Sequence, residues 1–284
     1  MNNIITDAYM DTFNKNLLTE YQNEGGKLRD KIMNFGNIAG KNNITTIAQE
    51  LQAYERERLE PAVIKEAQYR KISIAAKEFR SPYIIDPKDK DKLSFNEIPT
   101  ITSNIKKALQ RKVDDEIFST MLTGVASTTN VIAGANNESI TLSKLLKIKK
   151  IFQEKYIDDN ERYLLIPSSV EIDLFYIDEI KNNDYVNKGA IASGAVGKVL
   201  GINIIVYDPT DSQMQYTKTG DYTNCIAFGK RAFGYGYVGY ETESKIWNDD
   251  DRRGIVFDAF STCGSMVCFE DAIIRVECQG SGGI

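Results

Sequence analysis

Residues 184–208 read DYVNKGAIASGAVGKVLGINIIVYD, and three kinds of residue succeed one another within them. A polar lead-in gives way to small residues punctuated by Gly189, Gly194 and Gly197, and then to an apolar run from Ile202 to Tyr207. Runs rich in β-branched side chains read as buried strands, and glycines ahead of them let backbones approach closely or take positive φ. The stretch is therefore a loop that feeds a core strand.

Two nucleotide-binding motifs lie near this strand, and neither survives inspection. A Walker A loop requires GxxxxGK followed by Ser or Thr, because its amides cradle phosphates, its lysine reaches them and its hydroxyl holds magnesium. Gly197-Lys198 supplies the GK, but Ala192 stands five residues earlier and Val199 follows, so the first glycine and the hydroxyl are missing. Further on, Gly234, Gly236 and Gly239 match the spacing of a dinucleotide fingerprint. That fingerprint works only where a helix N-terminus follows to meet the pyrophosphate. Here residues 240–246 alternate as a strand does.

Composition narrows the function classes. The 284 residues suffice for a sizeable core, or for two lobes with extensions. A formal net charge of −5 gives no global attraction to nucleic acid or to an anionic membrane. The absence of histidine removes Ser-His-Asp and Cys-His catalysis, imidazole-ligated metals and histidine pH switches. Cys225, Cys263, Cys268 and Cys278 form no CxxC pair and read as buried, reduced thiols. No apolar run reaches the ~18 to 20 residues that cross a bilayer, so a soluble protein without a cofactor is expected.

Taken in order, residues 1–30 are polar, with a weak helical stripe through Tyr9, Phe13, Leu17 and Tyr21. Residues 31–82 carry sparse, scattered apolar side chains and cannot build a core of their own. From Ser103 to Thr123 the pattern sharpens: Ile105, Leu109, Val113, Ile117 and Met121 recur every fourth residue, predicting a helix capped by Ser103 and stopped at Gly124. Arg111 and Asp115 are spaced to pair across one turn of it. Thr141 opens a second helix through Leu145, Ile148 and Phe152, Arg162–Ile166 is a buried strand, and Ser168-x-x-Glu171 has the form of a capping box. Cys225–Phe228 and the segments 240–246, 254–269 and 270–278 complete the strands, with a charged turn, DDDRR, at 249–253. Mixed helices and strands argue for an α+β or α/β lobe.

The order RYLLIP, SSVEIDLFYIDEI, then GAIASGAVGKVLGINIIVYD resembles the central part of major capsid proteins of tailed bacteriophages with the Hong Kong 97 fold. In that family a G-x-x-G-x-x-L-G segment precedes a strand of the axial domain, and Gly194, Gly197, Leu200 and Gly201 stand at those places. ALQRKVDDEIFSTMLTG is similar to the end of the family's spine helix. Asp250 and Arg252, with IVFDAFSTCGSMVCFEDAIIRVE after them, fit its turn and return strands.

The resemblance implies an α+β fold with six parts: an N-terminal arm (1–30), an E-loop hairpin (31–85), a first peripheral part with the spine helix (86–139), an axial domain (140–235), a second peripheral part (236–268), and a strand returning to the axial domain with the tail (269–284). It implies a non-enzymatic subunit that self-assembles, through hexameric and pentameric capsomers, into the icosahedral head of a phage or prophage. Such a head is assembled in the host cytoplasm and encloses double-stranded DNA. Partners implied are other copies, scaffolding, portal and decoration proteins, and non-specific DNA; no membrane is expected. Lys106, Lys107, Arg111 and Lys112 would lie on the inward face of the spine helix, near the DNA, whereas Gly189, Gly194, Gly197 and Gly201 are structural. The alternative on the same fold is an encapsulin-type compartment around a cargo protein.

Overall fold

The computed structural model describes residues 26–39, 43–47, 55, 69–85, 97–134, 138–177, 197–210, 214–249, 251–252 and 254–279. Strands β1 (Met33–Asn37), β2 (Asn43–Ile47), β3 (Tyr69–Ser73) and β4 (Lys77–Ile85) precede a long helix, α1 (Glu97–Ser127). After it come β5 (Val131–Ile132), α2 (Leu142–Glu154), β6 (Arg162–Ile166), α3 (Ser168–Leu174), β7 (Lys198–Val199) and β8 (Ile202–Val206). The chain closes with β9 (Lys218–Thr219), β10 (Tyr222–Gly229), β11 (Phe233–Tyr237), β12 (Glu243–Asp249), β13 (Gly254–Val267) and β14 (Ile273–Cys278).

Three sheets result. One of seven strands has the order β5-β14-β10-β6-β8-β7, with β9 added to β10. Its pairs β6–β8 and β5–β14 are parallel and the rest antiparallel, which makes the fold α+β. A five-stranded sheet is built on β13. Cys263 pairs with both Tyr237 and Lys77, so β11 and β12 follow one edge of β13 while β4 follows the other. Strands β2 and β3 form a separate antiparallel hairpin.

The seven-stranded sheet is covered on both faces, which explains why RYLLI reads as continuous apolar sequence. Leu164 and Ile166 face Leu145, Ile148 and Phe152 of α2 and Val170 and Leu174 of α3. Tyr163 and Leu165 face the other way, into the cluster that holds Phe118, Met121 and Val125 of α1. That helix spans both sheets. Ile101, Ile105 and Leu109 pack on Phe257 and Ala259 of β13, while Val113 to Val125 fill the space where the two sheets meet.

Several expectations need correction. The 31-residue helix is about 46 Å long at ~1.5 Å per residue, not ~20 residues. It starts at Glu97, with Pro99 in the first turn, where a missing N–H removes no intrahelical bond. It also runs through Gly124, where neighbouring side chains leave little room for a side chain: a Cβ there would lie 2.8 Å from Ile273 Cδ1 and 2.9 Å from Phe233 Cε1. The Ser168 capping box is absent, since Pro167 is the N-cap and the Ser168 amide donates instead to Asp208 Oδ1 at 3.2 Å. Strand β8 lies next to the short edge strand β7, so only Ile202 of its five residues is fully buried. The central strand is β10, flanked by β6 and β14 and buried from Asn224 to Gly229.

Parts of the segments expected as arm and E-loop carry core side chains. Leu28 and Ile32 are fully buried against α1. Phe35 and Ile38 of the β1 segment, and Ile74 and Phe79 around β4, pack into the cores of the five-stranded sheet. The helical stripe at 9–21, the mixed-charge run at 54–60 apart from Glu55, and the turn at 86–93 lie outside the described residues.

Candidate assembly surfaces

Four features of the surface and its supports bear on function. The first is the β2–β3 hairpin, whose strands pair from Asn43↔Ser73 to Ile47↔Tyr69 and with no other strand among the described residues. A lone two-stranded hairpin is at best marginally stable in water. Ile72 of β3 packs against the cluster of Ile38, Ile74, Met266 and Cys268.

The second is the basic face of α1. Lys107, Arg111 and Lys112 are exposed, but Lys106 is only 2% exposed and leaves that set. Thr102 and Lys106, four residues apart, are both buried and widen the apolar stripe beside Ile101 and Ile105. Arg111 does not face a surface partner at Asp115, since Asp115 is 1% exposed. Its Oδ1 instead accepts from Tyr207 Oη at 2.7 Å and from the Thr210 amide at 3.1 Å.

The third is the glycine loop. Gly197 has open space where a side chain would go, and Gly189 and Gly194 lie outside the described residues. Leu200 and Gly201, with φ of 52° and 85°, form the two-residue turn between β7 and β8, closed by the pair Val199↔Ile202. Positive φ at both positions is the signature of a type I′ hairpin. This segment is thus a tight strand connection and offers no helix N-terminus to a phosphate. Of the fingerprint glycines, Gly234 and Gly236 are residues of β11, and Gly239 lies in the bend beyond it with a φ of 78°. A Cβ at Gly234 would collide with the Phe35 ring, and one at Gly236 would lie 2.7 Å from Ile38 Cγ2.

The fourth is a set of exposed apolar side chains: Tyr83 and Ile84 on β4, Leu146 on α2, Ile172 on α3, and Tyr176 and Tyr240 in the turns beyond. Reading the sequence missed these. Leu146 was the visible clue, because it falls outside the Leu145, Ile148, Phe152 stripe.

Inside the protein, polar groups hold the lobes in place. Lys144, 2% exposed, donates from Nζ to the carbonyls of Glu138, Ser139 and Glu277 at 2.8 to 2.9 Å, fixing the end of β14 to the start of α2. All four cysteines are buried and free, as their spacing implied. Burial pushes the Cys263 thiol up to about 11. Among the described residues no group of three His, Cys, Asp or Glu side chains could hold a metal ion, and no helix is long and apolar enough to cross a membrane.

Two sheets bridged by one long helix, a hairpin that among the described residues pairs only with itself, and a return strand into the second sheet make up a fold of the Hong Kong 97 type. Solved capsids share this fold. The capsid of cyanophage P-SCSP1u matches with a TM-score of 0.65 at 16% identity, over 88% of this chain and 87% of that one. The capsid of a native GTA particle matches at 0.64 with 10% identity, over 89% and 90%. A virus-like particle from Pyrococcus furiosus matches at 0.57 with 11% identity, over 95% and 99%. No curated protein matches the chain. The phage capsid protein family matches residues 5–280, and this chain belongs to it. It is a major capsid protein that forms the shell of a virion, and its function lies in contacts between copies. The phage-head reading is thereby favoured over the cargo compartment.

Proposed function

We propose that this shell is closed by hexameric and pentameric capsomers tied together by the β2–β3 hairpin, and that it encloses double-stranded DNA without catalysing a reaction. The observation that carries the reading is the hairpin itself, which among the described residues pairs with neither of the two packed sheets. Repeated contacts of one surface patch with a different patch on the next copy close into shells when symmetry allows. The hairpin laid over a neighbour would bury area on both partners and so offset the entropy of ordering it. Scaffolding, portal and decoration proteins are the further partners that such a head takes. All four thiols are buried, and burial raises the Cys263 thiol, which supports a non-enzymatic reading.

The test is electron microscopy and light scattering on the purified protein, with and without co-expressed scaffold. Closed particles or capsomer rings are expected; a monomer of 32.0 kDa at every salt and concentration would overturn the reading. The DNA contact falls to Lys107, Arg111 and Lys112. Three cations neutralise few phosphates, so free subunits should show no measurable duplex binding at physiological salt. A sub-micromolar, sequence-selective affinity in a filter-binding assay would contradict it.

A further inference from the structure

Residues 26–32 meet the long helix at one carboxylate. The amides of Lys27 and Leu28 donate to Asp114 Oδ2 and Oδ1 at 2.7 and 3.2 Å. Gly26 passes so close that a Cβ on it would collide with the same carboxylate. Leu28 and Ile32, 0% and 1% exposed, then anchor the segment in the core. Lys27 Nζ donates to the Val206 carbonyl at 3.3 Å, and the next helix residue, Asp115, holds Tyr207 and Thr210. Two adjacent acids thus grip two different chain segments, which are joined to each other through Lys27.

We propose that Asp114 is the catch of a proton-tightened latch, which holds the N-terminal segment on α1 more firmly as pH falls. The geometry supplies the reason. Closing the segment leaves Asp114 only 4% exposed. Its charged form then loses water and keeps two amide donors. The charged groups facing it are Asp115 from its own helix, which disfavours the charge, and Arg29 from the docked segment, which favours it. Arg29 is partly engaged elsewhere, by Glu241 at 3.3 Å. Burial outweighs the donors and pushes the Asp114 carboxyl up to about 6.

With the segment undocked, Asp114 is hydrated and returns to the ordinary range near 3.9. Between those two values the closed form binds a proton that the open form does not. Closure is therefore favoured by acid: the gain is complete below about pH 4 and is lost as pH rises through about 6. An ordinary carboxylate clamp, with its pKa lowered by its partners, would respond in the opposite direction. The latch is thus loosest at neutral and alkaline pH. This holds for a single subunit and does not depend on the shell reading.

Hydrogen exchange of the 26–32 amides in the full chain tests it, with rates corrected for the chemical effect of pH. Protection should rise roughly tenfold from pH 7.5 to pH 5, and Asp114→Asn, which keeps an acceptor but cannot titrate, should abolish that rise. Flat protection in the native chain, or an equal rise in the variant, would overturn the latch. If Asp114→Asn does not fold, Gly26→Ala separates the explanations, because it forces the segment off while Asp114 is retained. Protection of 26–32 should then be lost at both pH values with β10 and β14 still protected; loss of protection that spread to β10 and β14 would show a core segment rather than a latch and overturn the proposal.

Discussion

Asp115 shows how far a charged residue's role can lie from its sequence context. Spacing pairs it with Arg111 on a helix surface, a contact worth ~0.3 to 0.5 kcal/mol. In the fold it accepts from a buried phenol and a backbone amide of the segment after β8. Tyr207 keeps its proton, since burial first and the Asp115 bond second raise its pKa well above the ordinary tyrosine value. Asp115→Ala would leave two donors without a partner, so it should destabilise the subunit by about 2 to 4 kcal/mol, and Asp115→Asn by less. Urea melts of the three proteins check the order. A reversed order, with the alanine variant the more stable, would mean the carboxylate is a burden that the fold tolerates. Lys144 makes the same point from the other sign of charge: an ammonium in mid-core is satisfied because three carbonyls converge on it.

At the scale of elements, Gly124 is the telling residue. Within a helix, Gly→Ala ordinarily gains about 0.5 to 1 kcal/mol. Here the added methyl would press on Ile273 of β14 and Phe233 of β11, the strands that bring the two sheets together at the helix. Gly124→Ala should therefore destabilise by about 1 to 3 kcal/mol, whereas Thr123→Ala, one residue away and exposed, should be neutral or mildly stabilising. Thermal melts of the pair decide it; parallel stabilisation of both would show that α1 and the strands are not in close contact. The same helix shows which patterns are legible. Every fourth residue from Ile101 to Val125 is buried as the periodicity demands, because that spacing follows from 3.6 residues per turn. Its ends were not legible, because a proline in the first turn and a crowded glycine near the last both imitate stops.

For the whole molecule, the question is which part of the E-loop region is extension and which is core. Replacing residues 43–72 by a short Gly/Ser linker should leave a soluble subunit that unfolds cooperatively and no longer closes into shells. A larger cut that also removes Phe35 and Ile38 takes out side chains seated on Gly234 and Gly236, and it should lose cooperative unfolding. Calorimetry and electron microscopy on both variants check the boundary. If the shorter cut also unfolded the subunit, the hairpin would belong to the core.

The sequence by itself determined the apolar periodicity of α1 and α2, the buried strand Arg162–Ile166, the buried cysteines and the rejection of both nucleotide motifs. Each of these rests on local geometry: the pitch of a helix, the alternation of a strand, or the atoms that a motif must contain. Its resemblance to phage capsid proteins named the fold correctly from the order of elements. What only the tertiary structure decided were the partners that meet across long chain separations. Asp114 grips the amides of residues 27 and 28, Lys144 reaches the end of β14, and Lys106 turns inward with Thr102. The place of β8 beside the sheet edge belongs here too. A residue's composition and spacing state which face it prefers, but burial depends on what the rest of the chain lays over that face.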